Sequence, residues 1–438
     1  MPTYPLSRRA FLRQTTWAAA AFPMVSRLPV LGANNRLNIA GIGAGGKGSV
    51  DIRGCDSENI VALCDVDDAR AADTFRKYPK ARRFRDFRVM FEQMGRGVDA
   101  VTVSTPDHMH FLPSMWAIER GMGVYCQKPL THTIDEARRL TLAAQKHKVA
   151  TQMGNQGRSN PELLREVELV RAGVLGTVHE VHCWTDRPGK WWPQGVGWPT
   201  QTPPVPATLD WDMWLGVAQP RPFSPAYVPF NWRGFWDFGT GALGDMGCHL
   251  FNLPDLALGI RDATTVEAWS QGQTEVAGPV SSVVRWSIPA EGGRAPFTLW
   301  WYDGGKLPPA DLFPGVKYAE NGVLFVGDRD VMLTNYNGGA SFRSGRKVAD
   351  FKNVPETYAK CSNWDRCHYE DWIRACKGGP AAISNFSVAG PMTEVVLLGN
   401  VAIRSGRPLI WSRSAMRVMN DPGANQFVRQ VDRKGWTI

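Results

Sequence analysis

The chain has 438 residues, enough for two or three domains, and a formal charge of +9. Residues 1–33 contain four arginines and no acidic residue, so nearly half of the excess charge lies there and no long basic block follows. The charge therefore gives little support for a nucleic-acid partner. The 44 glycines, 31 prolines and 18 tryptophans are typical of a loop-rich body rather than a helical bundle.

Residues 1–33 are predicted to form a twin-arginine signal, which directs an already folded protein to the periplasm. Arg8 and Arg9 form the arginine pair, and an uncharged stretch spans residues 15–26. An ordinary secretory signal and a basic tail are the alternatives. Anchoring by an uncleaved signal stays open, because the small-residue site that ends at Ala33 is incomplete. We expect the twin-arginine export machinery as a partner and no stable membrane span after processing.

Residues 34–156 alternate short apolar strands with stretches whose apolar residues recur at helical spacing, which predicts a doubly wound parallel sheet. The predicted strands are residues 36–43, 59–66, 98–106, 123–129 and 149–155, and the predicted helices are residues 68–78, 87–95, 110–121 and 134–147. Ligands bind at the carboxyl ends of the strands in such a sheet, so the loops that follow the strands are the expected site.

A glycine-rich loop follows the first predicted strand, with Gly41, Gly43 and Gly46 spaced so that the backbone can approach a pyrophosphate. Asp65 closes the next strand, where a carboxylate can accept hydrogen bonds from the hydroxyls of an adenosine ribose. The same carboxylate would repel a ribose phosphate, so NAD is expected rather than NADP. A glycine turn with a capping aspartate is the alternative. Together with the alternating elements, the loop predicts a Rossmann domain that binds NAD(P).

The loop after the predicted strand at residues 98–106 carries further candidates for contact with the cofactor. Thr105 and Pro106 are expected to turn the chain over the nicotinamide end. Asp107 and His110 stand where the next helix begins, so capping of that helix is the simplest role for both, and His110 is also a candidate cofactor contact.

Three residues are candidates for proton transfer. Gln127 and Lys128 end the strand at residues 123–129 and are candidate cofactor contacts. Lys128, beside a bound cofactor, can also orient a substrate hydroxyl or move its proton; a solvated surface lysine is the alternative. Asp245 and His249 would share one helix face as a proton relay, with Asp245 orienting His249. A core histidine capped by aspartate and a zinc site are the alternatives, and no third zinc ligand is evident.

Residues 157–438 have a different character and are predicted to form a second, α+β domain. A helix at residues 162–173 is followed by Pro- and Trp-rich connections and then by alternating strands, which predict an open, mostly antiparallel sheet. The strands are residues 264–272, 281–289 and 297–303, and a helix at residues 388–406 is expected to pack back across the sheet.

These residues resemble the glucose–fructose oxidoreductase, inositol dehydrogenase and rhizopine-catabolism (Gfo/Idh/MocA) family over nearly the whole chain after the signal. The segments that carry the resemblance are residues 41–48, 64–68, 104–115, 127–140, 241–258 and 399–411. It implies a Rossmann domain followed by an open sheet domain, and oxidation or reduction of a sugar or polyol hydroxyl with NAD or NADP. Lys128 then matches the lysine of the family's Glu-Lys-Pro motif, and Asp245 and His249 match its aspartate and histidine.

Two positions depart from the family pattern. Gln127 stands where the family usually has a glutamate, which removes a charge next to Lys128, and Asn252 stands where a second aspartate commonly follows the histidine. Both side chains are polar and can keep hydrogen bonds. The departures bear on the reaction rather than on the fold.

The substrate is expected to meet aromatic and charged side chains of the second domain. The segments at residues 184–199 and 230–245 offer Trp192 for stacking on a sugar ring and Arg233 for its hydroxyls, although an oligomer interface would use the same residues. Asn155 and Arg158 are further candidate substrate contacts, because they lie near the junction between the domains, where family members contact substrate.

The eight cysteines are scattered, and most are expected to be buried thiols. Cys361, Cys367 and His368 could suggest zinc, but they lack a partner pair, so no metal is expected.

The sequence thus predicts a periplasmic NAD(P)-dependent oxidoreductase that acts on a hydroxyl or keto group of a sugar, glycoside or sugar derivative. A tightly bound NAD and a homodimer or homotetramer are also expected. Two alternatives stay open. One is a redox-neutral epimerase, lyase or glycosidase that uses bound NAD transiently, and the other is a non-catalytic exported sugar-binding protein.

Overall fold

The computed structural model describes residues 36–437, and the predicted export signal at residues 1–33 lies outside them. The first six strands are β1 (Asn38–Ile42), β2 (Asn59–Cys64), β3 (Arg82–Phe84), β4 (Ala100–Val103), β5 (Gly123–Gln127) and β6 (Thr151–Gly154). They form one sheet in the order β3-β2-β1-β4-β5-β6, and every pair is parallel. The strand order reverses between β1 and β4, which opens a crevice at their carboxyl ends.

Five helices connect these strands: α1 (Lys47–Gly54), α2 (Asp68–Lys77), α3 (Phe87–Met94), α4 (Phe111–Glu119) and α5 (Ile134–His147). Side chains that accept hydrogen bonds from free backbone N–H groups mark the starts of α2, α3 and α5. The Asp67 carboxylate accepts from the first turn of α2, and Thr133 and Glu136 form a capping box on α5. The loop between each strand and the helix that follows it lies at the carboxyl edge of the sheet, because all six strands are parallel.

The rest of the chain builds a second sheet and the helices that cover it. Its elements are α6 (Pro161–Arg171), β7 (Val178–Trp184), α7 (Trp211–Leu215), α8 (Gly241–Leu250), α9 (Asn252–Leu258), β8 (Thr265–Gln271), β9 (Ser281–Ile288), β10 (Phe297–Tyr302), β11 (Gly322–Gly327), β12 (Val331–Asn335), β13 (Ser341–Phe342), α10 (Trp364–Cys376), α11 (Phe386–Ser405), β14 (Leu409–Ser412) and β15 (Arg417–Val418). The nine strands run in the order β13-β12-β11-β7-β10-β9-β8-β14-β15, and only the β7–β10 pair is parallel within the described residues. The predicted fold class is confirmed.

Alternation of side chains gives the second sheet one covered face. Along β9, Val284, Trp286 and Ile288 are buried while Arg285 and Ser287 between them are exposed. Trp286 and the buried Trp301 of β10 both contact the ring of Phe251 edge-on. The helices therefore cover one face of the sheet, and the other carries polar and aromatic side chains.

The long helix α11 returns from the second sheet to the first, as predicted. Glu394 on α11 accepts two hydrogen bonds of 2.7 Å from the guanidinium of Arg138 on α5. Among residues 36–437, α11 is also the helix long and apolar enough to cross a membrane, but 89% of that stretch is buried inside the protein. It is the central core helix of this fold, and its apolar character follows from burial on all sides.

Residues 206–238, which we call the covering segment, leave the second domain and cross the mouth of the first sheet. The Asp68 N–H donates to the Thr208 carbonyl and the Asp210 N–H donates to the Val66 carbonyl, at 3.0 and 2.8 Å. The segment has its own aromatic core, with Trp211 and Trp214 stacked at 4.8 Å between ring centroids. Near the C-terminus, Arg433 donates to an Asp212 carboxylate oxygen at 2.5 Å and holds the last residues against the segment.

Most of the cysteines are buried free thiols, as predicted. Cys361 and Cys367 instead form a disulfide next to the start of α10. His368 is fully buried and bonds to the Ser159 hydroxyl at 2.7 Å and to the Met153 carbonyl at 2.9 Å. The three residues considered for zinc are therefore engaged elsewhere, and residues 36–437 contain no cluster of three or more potential metal ligands.

Candidate active site

A cleft of about 590 Å³ runs along the carboxyl edge of the first sheet, and residues of the second domain line its outer side. The volume lies within the range of small-molecule and cofactor sites. One end, the loop end, is lined by the glycine loop, Asp65 and Arg70. The other, the charged end, is lined by Lys128, Arg233, His249 and Tyr336.

The glycines of the loop are required by close contacts with neighbouring elements. A Cβ on Gly41 would stand 2.5 Å from Ile52 of α1, so its absence lets the helix approach the strand. Gly43 has a φ of +79° and a Cβ there would lie 2.7 Å from the Ser104 backbone. Gly46, with a φ of +56°, precedes the first turn of α1, whose free N–H groups face the cleft. The loop therefore leaves room at a helix N-terminus for a pyrophosphate.

Asp65 is tied to the glycine loop. Its carboxylate accepts from the N–H groups of Ala44 and Gly45, at 2.6 and 3.0 Å, and from that of Asp67. Burial raises the pKa of Asp65, and these three backbone hydrogen bonds oppose the rise. Asp65 thus holds the shape of the loop, and its carboxylate lines the cleft, where further lone pairs can accept from ribose hydroxyls.

Arg70 of α2 is a cleft residue that the sequence did not single out. Its guanidinium lies over the loop, so a Cβ on Gly46 would stand 2.5 Å from the Nη2 atom. A fixed cation at this point faces the position where the loop would hold phosphate groups. Its signal in the sequence was weak, because exposed arginines on the first turn of a helix are common.

The residues after β4 are placed differently from the capping roles predicted for them. The two ring nitrogens of His110 lie 2.9 Å from the Thr105 carbonyl oxygen and 2.7 Å from the Pro129 carbonyl oxygen, and the one N–H of the neutral ring can donate to either, so the side chain lies between the loops after β4 and β5. Asp107 accepts from the N–H and hydroxyl of Thr240, immediately before α8. The capping prediction for both side chains is wrong, because each finds a tertiary partner instead of the N–H groups of α4. Asp107 fixes the start of α8 against the first domain.

Thr105 and Pro106 line the cleft as the sequence placed them. The Thr105 hydroxyl is buried and has no hydrogen-bond partner among residues 36–437. A buried hydroxyl at a cleft wall is costly unless something in the cleft satisfies it. This unpaired group, together with the open glycine loop, fits a bound dinucleotide.

Lys128 and Asp245 meet across the two domains. The Lys128 Nζ donates to Asp245 Oδ1 at 2.5 Å, and Arg233 Nε donates to the same oxygen at 3.2 Å. The two cations hold the pKa of Asp245 well below its usual range, against the opposing effect of burial. Lys128 and Arg233 face the cleft, so one carboxylate balances two positive charges at this end.

His249 lies on the same face of α8 as Asp245 but has a different partner. Its Nδ1 atom is 3.3 Å from the Tyr336 hydroxyl, and the hydrogen bonds of Asp245 go to Lys128 and Arg233. Burial and the Lys128 ammonium lower the pKa of His249 to about 3, so the imidazole is neutral at neutral pH. The expectation that Asp245 orients His249 is therefore wrong. The closer cations take the carboxylate, and Tyr336, which no sequence motif marked, contacts the ring.

Gln127 is buried beneath Lys128 in a polar cluster that the sequence did not reveal. Its Nε2 atom donates to both oxygens of Asp51, at 3.2 and 3.0 Å. Asp51 is fully buried and also accepts from Lys47, Ser104 and Tyr369. The four-residue spacing of Lys47 and Asp51 on α1 was the sequence signal for this cluster. Such a spacing is typical of ion pairs on the surface of a helix, so it did not indicate a buried carboxylate.

Three of the four residues predicted to contact substrate are buried away from the cleft. Arg158 is 1% exposed and pairs with Asp255 at 2.8 Å. Asn155 is fully buried and donates to the Asn252 Oδ1 at 2.6 Å, so the departure at position 252 belongs to the core between the domains. Trp192 is 4% exposed and donates to a side-chain oxygen of a neighbouring glutamine. The predicted substrate contacts of these three residues are therefore wrong, because their side chains pack and form hydrogen bonds inside the protein. Of the four, only Arg233 lines the cleft.

The geometry defines a two-domain protein with a dinucleotide-type loop at one end of a cleft and a lysine–aspartate–histidine group at the other. Residues 37–155 match the model of an oxidoreductase family with an NAD-binding Rossmann fold, and residues 163–285 match the model of its C-terminal alpha/beta domain. Together these matches cover more than half of the chain. The chain therefore belongs to the Gfo/Idh/MocA oxidoreductase family.

Named relatives are similar over part of their length. The rhizopine catabolism protein MocA of Rhizobium meliloti is 30% identical over 156 residues, which is 35% of this chain and 49% of the relative. Inositol 2-dehydrogenase of Corynebacterium glutamicum (strain R) is 31% identical over 144 residues, 32% of this chain and 42% of the relative. The chain thus matches half or less of the length of these relatives.

Solved structures share the fold. The WlbA dehydrogenase of Chromobacterium violaceum, in complex with NADH and UDP-GlcNAcA, superposes with a TM-score of 0.62 at 16% identity, over 86% of this chain and 96% of that one. An inositol dehydrogenase homolog of Azotobacter vinelandii, in complex with NADH and myo-inositol, gives a TM-score of 0.57 at 16% identity, over 86% and 98%. At this identity the likeness concerns the fold.

Proposed function

We propose that the protein is an NAD(H)-linked oxidoreductase that acts on a hydroxyl or keto group of a sugar or sugar derivative. The observation that carries the proposal is the Lys128–Asp245 ion pair beside His249, at the end of a cleft whose other end is the glycine loop. A nicotinamide cofactor accepts or supplies hydride when bound. The chain's part is to hold the hydroxyl-bearing carbon and to manage the proton of that hydroxyl.

Lys128 and His249 are the two groups placed for that proton. The Lys128 ammonium can donate a hydrogen bond to the substrate oxygen, and Asp245 fixes the direction of its side chain. The neutral His249 can accept a hydrogen bond from the substrate hydroxyl at Nε2 when Nδ1–H donates to the Tyr336 hydroxyl. Burial raises the pKa of Tyr336 to about 12, so this group stays a phenol and does not compete for the proton.

The substrate class is supported by the lining of the charged end and by the relatives. Phe230 and Trp232 line the cleft beside Arg233, whose guanidinium lies 4.0 and 4.3 Å from their ring centroids. Rings with an adjacent hydrogen-bond donor suit the apolar face and hydroxyls of a sugar. Its relatives include an inositol 2-dehydrogenase and a D-apiose dehydrogenase.

We propose NAD rather than NADP, held tightly. Asp65 and Asp67 line the loop end, and their charges disfavour a phosphate on the adenosine ribose. The covering segment contributes Leu209, Met213 and Trp214 to the outer wall, so a cofactor in the cleft would be covered by a second domain. Release would require these contacts to open.

The first experiment is to purify the full-length protein, denature it and assay released NAD(H) and NADP(H) by mass spectrometry. Near-stoichiometric NAD(H) is expected. A protein that is empty and also fails to bind added NAD(H) or NADP(H) would overturn the proposal. A panel of sugars and polyols then follows at 340 nm, where accumulation of NADH is expected with the substrate, and turnover without accumulation would overturn net oxidation.

We also propose export of the folded protein by the twin-arginine route. The Arg8–Arg9 pair supports it, as does the Cys361–Cys367 disulfide, because such bonds persist in oxidising compartments. Replacement of both arginines by lysine is expected to keep the protein in the cytoplasm, whereas Arg13→Lys is the matched control. Periplasmic recovery of the double variant at the level of the control would contradict this route.

A homo-oligomer is proposed from the uncovered face of the second sheet. Trp269 is 47% exposed and stacks on Trp300, and Arg285 lies over both rings. Large exposed aromatic side chains on an open sheet are typical of a subunit interface. Light scattering of the wild type should give a dimer or tetramer, and Trp269→Ser should weaken it, while the exposed Val431→Ser should not. A monomeric wild type would refute the proposal.

A further inference from the structure

The most heavily bonded carboxylate beside the cleft belongs to Asp51, which plays no part in the reaction described above. It is fully buried and receives Lys47 Nζ at 2.6 Å, Ser104 Oγ at 2.7 Å and Tyr369 Oη at 2.7 Å. With Gln127, its partners come from α1, β5, α10 and the loop after β4. Four parts of the fold therefore meet at one negative charge.

The carboxylate determines how the amide of Gln127 is turned. Asp51 can only accept, so the Nε2 end must face it, at 3.2 and 3.0 Å from its two oxygens. The Oε1 end is then left toward the backbone N–H of Lys128, at 3.4 Å. Gly154 leaves the space for this arrangement, because a Cβ there would stand 2.3 Å from the amide nitrogen. A glutamine, with one donating and one accepting end, fits between a carboxylate and an N–H group.

We propose that Asp51 is a positioning residue that acts through Gln127 to hold Lys128 in register with the glycine loop. Asp51 lies on α1, the helix that directly follows Gly46, and Lys128 directly follows Gln127, so the contact joins the cofactor loop to the lysine. This inference rests on the function proposed above, because it assigns Asp51 a task toward that site. A change at Asp51 should therefore alter the cofactor end and the lysine together.

The same carboxylate also holds a second lysine. Lys47 Nζ pairs with Asp51 Oδ1 at 2.6 Å, so removal of the Asp51 charge leaves Lys47 without its carboxylate. An asparagine at position 51 offers a donor as well as an acceptor, so the amide of Gln127 is free to turn and the backbone N–H of Lys128 can lose the Gln127 oxygen. The surroundings of the Lys128 side chain should change with that contact.

The test uses Asp51→Asn with two readouts, neither of which needs a known substrate. Trace acetylation with acetic anhydride at a single pH, followed by mass spectrometry, gives the reactivity of Lys128 relative to the exposed Lys306. Asp51→Asn should change this relative reactivity by about threefold or more, because the lysine is no longer held in place. NADH binding, measured by quenching of tryptophan fluorescence, should weaken at least about tenfold.

Charge exchange provides the second variant. Gln127→Glu should place two carboxylates about 3 Å apart in a buried site, so it should lose NADH affinity and stability because like charges repel. Asp51→Asn/Gln127→Glu returns the cluster to one carboxylate and should recover most of the affinity. If neither single variant folds, recovery of a folded protein by the double variant supports the pairing, and failure of all three contradicts it.

Asp303→Asn is the matched control, because Asp303 is equally buried but bonds to Ser282 and Trp301 in the second sheet. It should lower the melting temperature and leave the relative reactivity of Lys128 and the NADH affinity unchanged. If Asp51→Asn behaves like this control, Asp51 is structural only and the inference is overturned. A wild type that binds no NADH would instead refute the proposed function, so the two failures are distinct.

Discussion

The two ends of the cleft are built in different ways. At the loop end, Gly41, Gly43 and Gly46 lie within six residues of one another and offer backbone N–H groups of one domain. At the charged end, Lys128 and Asp245 are 117 residues apart and come from different domains. Backbone N–H groups are available to hold a pyrophosphate at the loop end. The charged end instead depends on the tertiary structure that brings its side chains together.

This difference separates binding from chemistry. The loop end keeps its shape through backbone geometry and Asp65, so side-chain changes at the charged end should leave the cofactor bound. The charged end depends on one carboxylate shared by two cations, so small changes there should alter turnover. Four variants test this division, from the largest expected effect to the smallest.

Lys128→Ala should give the largest loss, because it removes the ammonium nearest the substrate oxygen while Arg233 still pairs with Asp245. Turnover of the identified substrate should fall by about 10²–10⁴-fold, with NAD still bound. The exposed Lys306→Ala is the control and should match the wild type. Turnover retained in Lys128→Ala would remove the lysine from the mechanism, and loss of NAD would show that the two ends are not separate.

Gly43→Ala should have the opposite pattern, with cofactor binding lost first. Its Cβ would meet the Ser104 backbone at 2.7 Å in a left-handed conformation. Gly95 also has a positive φ, of +50°, but a Cβ there meets nothing within 4 Å, so Gly95→Ala isolates the cost of backbone strain. The Gly43 variant should lose about 1–2 kcal/mol more in the free energy of unfolding than the Gly95 variant, and should bind NADH far more weakly. Equal behaviour would exclude the contact with Ser104 as the cause.

His249 should make stability at the charged end sensitive to acid. Its pKa is about 3 in the folded protein and about 6.5 when unfolded, so below pH 6.5 the unfolded chain gains a proton that the fold excludes. The free energy of unfolding should therefore fall as the pH drops from 6.5 toward 3. Urea denaturation at pH 7.5 and 5.0 measures how much the free energy of unfolding decreases between the two pH values. This decrease should be about 1–2 kcal/mol smaller in His249→Gln than in the wild type. Equal losses would contradict the neutral histidine.

Tyr336→Phe should have the smallest effect. It removes a single 3.3 Å contact to His249 and keeps the ring that packs against the imidazole. Turnover should fall by about two- to fivefold without loss of NADH affinity. A fall as large as that of Lys128→Ala would instead make the tyrosine a proton-transfer group.

The fold and the loop end were predictable because their signals are local. The glycine spacing, the carboxylate after β2 and the strand–helix alternation all lie within short windows of sequence. The strand β7 was missed, since both of its pairing partners, β10 and β11, are distant in the chain. Tertiary pairing decides such strands more than local preference does.

At the charged end Lys128, Arg233 and His249 were predictable from the sequence, but Tyr336 and the contacts between these side chains were not. Asp245 and His249 share a helix face, yet Lys128 and Arg233 approach the carboxylate from other elements and displace the predicted relay. Asn155 and Arg158 carried the right chemistry for substrate, but burial assigned them to the core. The spacing of residues in the sequence shows which side chains are neighbours on one helix. It does not show which residues from other elements will bond to those side chains in the folded protein.

The ion pair that joins Lys128 to Asp245 also limits how this protein can change in evolution. Each domain contributes half of it, so neither the Rossmann domain nor the sheet domain holds a complete reactive group alone. A chimera that exchanges the sheet domain for one with another substrate pocket must keep α8 and the Asp107–Thr240 contact that fixes its start. New specificity is therefore easier to obtain in the loops around Phe230 and Tyr336 than by exchange of whole domains.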